Sequence, residues 1–213
     1  GYDITSLASN GDEIVEMMSG RARQELVACF AKESFDALLF SGGGNDVVGE
    51  YNIDFLVKPK ASGGVGKALI HPDRFPRRLK EIESAYLDLL DLIERFAKNP
   101  QMPVIVHTYD KPIPSGKGAK FVGGAVSVKA WIKPYLDPLG IPFAEQQEIV
   151  EEMLRQFEGM LVGLEQRFQG RIHVVRTQPT VDPQTEWKDE IHPTPGGFAR
   201  LARKVKAKLD QVV

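Results

Sequence analysis

Cysteine is nearly absent from this chain. Cys29 stands alone among 213 residues, so no internal disulfide can form and the fold does not depend on an oxidising compartment. It lies in an apolar helical pattern and reads as a small core residue. Charge of either sign is also scarce in excess: 27 Lys and Arg face 29 Asp and Glu, a net of −2, so no global field recruits nucleic acid or an anionic membrane surface. No apolar run approaches the roughly 20 residues of a membrane-spanning helix. Internal repeats and low-complexity tracts are missing as well, which argues against solenoids and disordered linkers. What is left is a length suited to one α/β domain with a substantial core, organised around a single sheet.

Apolar runs of strand length alternate with longer stretches of helical periodicity. Residues 4–8 are expected to form a short strand, which Ser9-Asn10-Gly11-Asp12 turns into a helix bearing Ile14, Val15, Met18, Leu26, Val27 and Phe30 on one face, with a weak point at Ser19-Gly20. A second strand, residues 37–40, runs into Ser41-Gly42-Gly43-Gly44-Asn45-Asp46. A buried strand that opens into consecutive glycines marks the edge of a sheet where ligands bind in open α/β folds. Residues 47–73 are irregular and too long for a mere connector, so they read as a rim or lid. Leu79, Ile82, Tyr86, Leu89, Leu90, Ile93 and Phe96 recur at helical spacing over residues 76–98, a crossover helix that makes the next strand, 102–107, parallel to the second. Residues 109–140, rich in Gly, Pro and Lys, form a second overhang on the same edge. A long helix over 143–168 follows, then a strand at 171–175. A final helix over 196–210 is expected to bury Phe198, Leu201, Val205 and Leu209 behind a solvated basic face.

Asp189-x-x-His192 lies between the last strand and the last helix, on the edge that carries the glycine turn. A carboxylate three residues before an imidazole can accept the Nδ1 proton, fix the tautomer and leave Nε2 free as a general base. The bland reading is a surface turn in which Thr194 caps the final helix and Pro195 takes its first position. Of the other histidines, His107 and His173 fall within apolar strands as core or strand-end residues, and His71 falls in a loop. At Asn10-Gly11-Asp12 a backbone N–H near the start of a helix is suited to an oxyanion.

Taken together, Ser9-Asn10-Gly11-Asp12, Gly43-Gly44-Asn45-Asp46 and Asp189-Glu190-Ile191-His192-Pro193 resemble, in order and placement, the second, third and fifth blocks of the SGNH hydrolases, the GDSL esterases and lipases. The resemblance implies a three-layer α/β/α flavodoxin-like sandwich with a central parallel sheet, one domain over residues 1–213 with rim insertions at about 47–73 and 109–140. It implies a serine ester hydrolase of the esterase, lipase or acylhydrolase type. In that reading Asp189 and His192 complete the triad, Gly11 and Asn45 form the oxyanion hole, and Gly44, Asp46, Trp131 and Tyr135 stand near a substrate pocket. A small ester is then the substrate, and neither a metal nor an organic cofactor is required. The family's first block, Gly-Asp-Ser, is nowhere in the sequence. The nucleophile is therefore expected on a segment upstream of Gly1, together with a first strand whose absence leaves a gap in the middle of the sheet.

Two other classes compete. One is a non-catalytic, ligand-binding domain of the same fold, and the other a flavodoxin-like module that binds a nucleotide or phosphate at the glycine turn. Neither needs a base with an orienting carboxylate, so Asp189 and His192 weigh against both. A phosphate-binding loop at Ser62-Gly63-Gly64-Val65-Gly66-Lys67-Ala68 is rejected, since the motif requires Gly at position 61 and Ser or Thr at position 68, where this chain has Ala61 and Ala68.

Overall fold

The computed structural model describes residues 1–9, 11–49, 52–121, 126, 127 and 129–213. In chain order the elements are helices Ile14–Met17 (α1) and Gly20–Lys32 (α2), strand Leu38–Phe40 (β1), short helices Gly44–Val48 (α3) and Ile53–Leu56 (α4), and the long helix Arg74–Phe96 (α5). Strand Val104–His107 (β2), the two-residue strands Lys120–Phe121 (β3) and Val126–Ser127 (β4), and helix Lys133–Leu136 (α6) come next. Helix Phe143–Arg167 (α7), strand Ile172–Val175 (β5) and helix Pro195–Val212 (α8) complete the chain. β1, β2 and β5 lie side by side in that order, all parallel, with Phe40 beside Val106 and Val106 beside Val174. β3 and β4 form a separate antiparallel pair.

Strand alternation divides the sheet into two faces. Phe40, Val104, Val106, Ile172 and Val174 join one buried cluster with Ile82, Leu89 and Ile93 of α5 and Ile149, Met153, Phe157 and Leu161 of α7. Each such side chain contributes on the order of 1.5–3 kcal/mol through burial. On the other face α8 lies against β2 and β5. The molecule is thus an α/β fold with a parallel sheet between helices. All three parallel strands end on the same edge, held there by side-chain bonds: Thr108 and Thr177, just beyond β2 and β5, join their hydroxyls at 3.0 Å, and Thr177 donates to the Thr108 carbonyl at 2.8 Å.

Three expectations are corrected. Residues 4–8 form no strand; residues 1–9 have no regular structure, and Ile4 is 73% exposed. A short strand is stable only as part of a multistranded sheet with a buried face, and these residues have no partner strand among the described residues. Tyr2 instead reaches α8, where its hydroxyl bonds the Asp210 carboxylate. The sheet has no central gap either. Among the described residues its three strands are contiguous and both β1 and β5 are edge strands; on β1, Leu39 is 49% exposed. Finally, Phe198 is 49% exposed, and Leu201, Val205 and Leu209 are only half-buried, on a helix that packs against β2 and β5.

The remaining differences are local. The first helix breaks in two at Met18 and Ser19, where weakness was expected. α5 begins at Arg74, so Pro76 sits in its first turn, where a missing N–H costs nothing. Residues 52–73 are more ordered than an irregular rim: α4 packs Ile53 and Leu56 inward, and Val57 pairs with Ile70.

Candidate active site at the carboxyl edge of the sheet

The glycine turn after β1 is packed from beneath by the protein's own rings. Gly43 has φ +97°, and a Cβ there would lie 2.5 Å from the Phe157 ring. A Cβ on Gly44 would meet the Tyr109 ring at 2.4 Å. Tyr86, buried between α5 and the sheet, donates its hydroxyl to the Gly42 carbonyl at 2.9 Å. The glycines therefore serve the approach of three aromatic side chains, and Gly44 lies buried under Tyr109 instead of lining a pocket. Asp46 moves inward too. It is fully buried, its Oδ2 accepts the Ile14 N–H at 2.9 Å, and its Oδ1 has no hydrogen-bond partner among the described residues. Burial, first, and the nearby Glu13 carboxylate push its pKa up to about 6. Asp46 is a structural acid that fastens the start of α1 to the glycine turn.

That fastening brings together two distant parts of the sequence. Asn45, half-buried, donates an amide hydrogen to the Asp12 carbonyl at 3.1 Å, and Asn52 donates to Glu13 and to the Asn45 carbonyl. The Gly11 turn, φ +87° and exposed, thus sits beside Asn45. An amide has two donor hydrogens, and the bond to Asp12 uses one of them. Asn10 lies outside the described residues.

Asp189 and His192 meet as their spacing suggests. His192 Nδ1 lies 2.9 Å from Asp189 Oδ1 and 3.1 Å from Oδ2. The same Oδ1 accepts the backbone N–H of Ile191 at 3.1 Å and of His192 at 2.8 Å, so the carboxylate is held by the turn it orients. The Asp189 side chain is 1% exposed, whereas that of His192 is 39% exposed. A buried acceptor holds a proton on Nδ1, and the ring it orients is partly exposed. The capping arrangement is present as well. Thr194 Oγ1 accepts the Gly197 N–H at 3.3 Å, with Pro195 at the first position of α8, so capping and dyad share one turn. Trp187 pairs with Pro193 to close that turn at its base.

Glu190, between the two, was not legible as a site residue. Its fully buried carboxylate accepts the N–H groups of Gly116 at 2.8 Å, Ile132 at 2.6 Å and Lys133 at 3.0 Å. Three donors converging on one carboxylate tie the 109–140 segment to the histidine turn. The Trp131 ring consequently stands edge-on to His192, with centroids 5.1 Å apart. Tyr135 is half-buried in α6, two residues beyond Lys133 of the clamp. A dipeptide Asp-Glu offers no local sign of which carboxylate turns inward, so the sequence held no signal for Glu190.

The hydrogen bonds form two separate groups, one joining Asn45 to the Gly11 turn and one joining Asp189, Glu190 and His192 to the segment of Trp131. The rejected glycine loop around Gly66 binds the protein's own acid: Glu145 accepts the Gly66 N–H at 2.8 Å and the Lys60 ammonium at 2.7 Å. Compared with protein-family models and with curated proteins, the chain matches none.

Proposed function

We propose that this chain carries the base and the oxyanion donors of a serine ester hydrolase with an SGNH-type fold. The observation that carries the reading is the Asp189–His192 pair: a buried carboxylate with two backbone N–H bonds orients a partly exposed imidazole beside the Trp131 ring. His192 Nε2 takes the proton of a serine hydroxyl as the oxygen attacks the ester carbonyl, and returns it to the leaving alcohol. The second amide hydrogen of Asn45 and the N–H of the Gly11 turn stabilise the tetrahedral oxyanion, each donor being worth roughly 3–4 kcal/mol of barrier in comparable sites. Water then deacylates the serine through the same nitrogen. The serine is expected on a first strand paired with the open edge of β1, in line with the Gly-Asp-Ser block that the resemblance calls for.

The test uses the product of the whole gene and a chromogenic short-chain ester. His192→Ala and Asp189→Asn are expected to lower kcat by about 10³-fold or more, with KM little changed. Hydrolysis at the parent rate in both variants overturns the reading and favours a ligand-binding domain of the same fold.

A further inference from the structure

We propose that Ser41 and His107 form a second nucleophile–base pair, which accepts the acyl group of short-chain activated esters independently of His192. Ser41 follows β1 and His107 ends β2, so neighbouring parallel strands deliver both side chains to one edge and one face of the sheet. Ser41 Oγ lies 2.8 Å from His107 Nε2, and His107 Nδ1 lies 2.8 Å from the Thr108 carbonyl. A carbonyl oxygen only accepts, so Nδ1 carries the proton and Nε2 is bare. The serine hydroxyl is therefore the donor, the orientation that activates an alcohol toward attack. In a surface hydroxyl bonded for structure alone, any acceptor would serve. Here the acceptor is a base whose tautomer the backbone fixes.

The pair continues into a chain of polarised groups. The Tyr109 hydroxyl stands 3.5 Å from Ser41 Oγ, its ring edge-on to His107 with centroids 4.9 Å apart. Burial holds the Tyr109 pKa above its ordinary value, so the phenol keeps its proton and remains a donor. It is placed to stabilise negative charge that develops beside Ser41. Loss of hydration holds the His107 pKa below 6.5, so the base form is already present at neutral pH. Among the described residues, the groups that face it are Ser41 after β1, Val175 of β5, Val205 of α8, and Thr108 and Tyr109 on its own segment; Tyr109 is the titratable one of these, and it is neutral.

Ser41 and His107 open into a cleft of about 70 Å³ whose other walls are Leu39, Phe40, Ile105, Val106 and Val205. The walls are apolar and the space is small, which fits a short acyl chain and excludes a long or charged one. In the reaction the Ser41 Oγ–carbon bond forms while the carbon–oxygen bond to the leaving alcohol breaks. The serine proton rests on His107 Nε2 and passes to the departing alkoxide. Water, deprotonated by the same nitrogen, then cleaves the Oγ–carbon bond and releases the carboxylic acid.

The experiment treats the 213-residue chain with a short alkyl fluorophosphonate, in which the Oγ–phosphorus bond replaces phosphorus–fluorine, fluoride leaves and the proton goes to His107. Labelling is followed by intact mass from pH 5 to 9 and mapped on the tryptic peptide of residues 33–60, with fragmentation to separate Ser41 from Ser34. The expected result is an adduct on Ser41, lost in Ser41→Ala, with a labelling rate that rises to a plateau through an inflection below pH 6.5. His107→Gln, which keeps a hydrogen-bonding amide, should slow Ser41 labelling by about 10²-fold, the low end of general-base contributions, at unchanged thermal midpoint. Absence of an adduct, labelling confined to other residues, wild-type labelling in His107→Gln, or a parent profile without that inflection overturns the proposal. Because the site is read from the labelled peptide, failure here is distinct from failure of the His192 reading, which is judged by ester turnover.

Discussion

Asp46→Asn isolates a single buried titration. In the folded protein the carboxyl has a pKa of about 6, against 3.8 for an ordinary Asp, mainly because it has no exposure to water. The folded state therefore binds a proton more tightly than the unfolded chain. The associated stability is fully present below about pH 4 and is lost as pH rises through about 6. A difference of about two pH units at 1.36 kcal/mol each amounts to roughly 3 kcal/mol. Asparagine keeps an oxygen to accept the Ile14 N–H but has no proton to lose. Urea unfolding of both proteins at pH 4, 5, 6 and 7.5 gives two stability curves, each including every other titrating group. Their difference removes those shared groups, such as Glu152, whose partner Arg155 holds its pKa near 2. The variant should gain roughly 2.5 kcal/mol on the parent between pH 4 and 7.5, with the change centred between pH 4 and 6. A difference curve that is flat with pH would refute the reasoning, whatever its absolute offset.

Other substitutions test the remaining contacts. Gly44→Ala forces a methyl group into the Tyr109 ring and should cost about 1–3 kcal/mol by chemical denaturation; an unchanged midpoint would mean that the ring moves aside freely. Glu190→Ala leaves the N–H groups of Gly116, Ile132 and Lys133 without their acceptor and should cost about 3–5 kcal/mol, with earlier protease cleavage within 109–140 than elsewhere. Phe157→Ala removes the fully buried ring beneath Gly43 and should lower stability by about 3–5 kcal/mol in thermal unfolding.

Local patterns in the sequence were enough for the elements whose stability is local. The apolar spacing of Ile82, Leu89 and Ile93, and of Ile149, Met153 and Phe157, specifies α5 and α7 because one helical face collects them wherever the helix docks. Asp189 and His192 were legible for the same reason: three residues across a turn suffice to bring a carboxylate to an imidazole. Residues 4–8 have the composition of a strand, but a strand is defined by its neighbour, and among the described residues no partner strand stands beside them. The burial of Asp46, the inward turn of Glu190 in place of a surface carboxylate, and the meeting of Ser41 with His107 across 66 positions depend on which strands and segments lie side by side. Hydrophobic periodicity determines which face of an element points inward, whereas the identity of what it meets there is decided only when the whole sheet and its helices have packed.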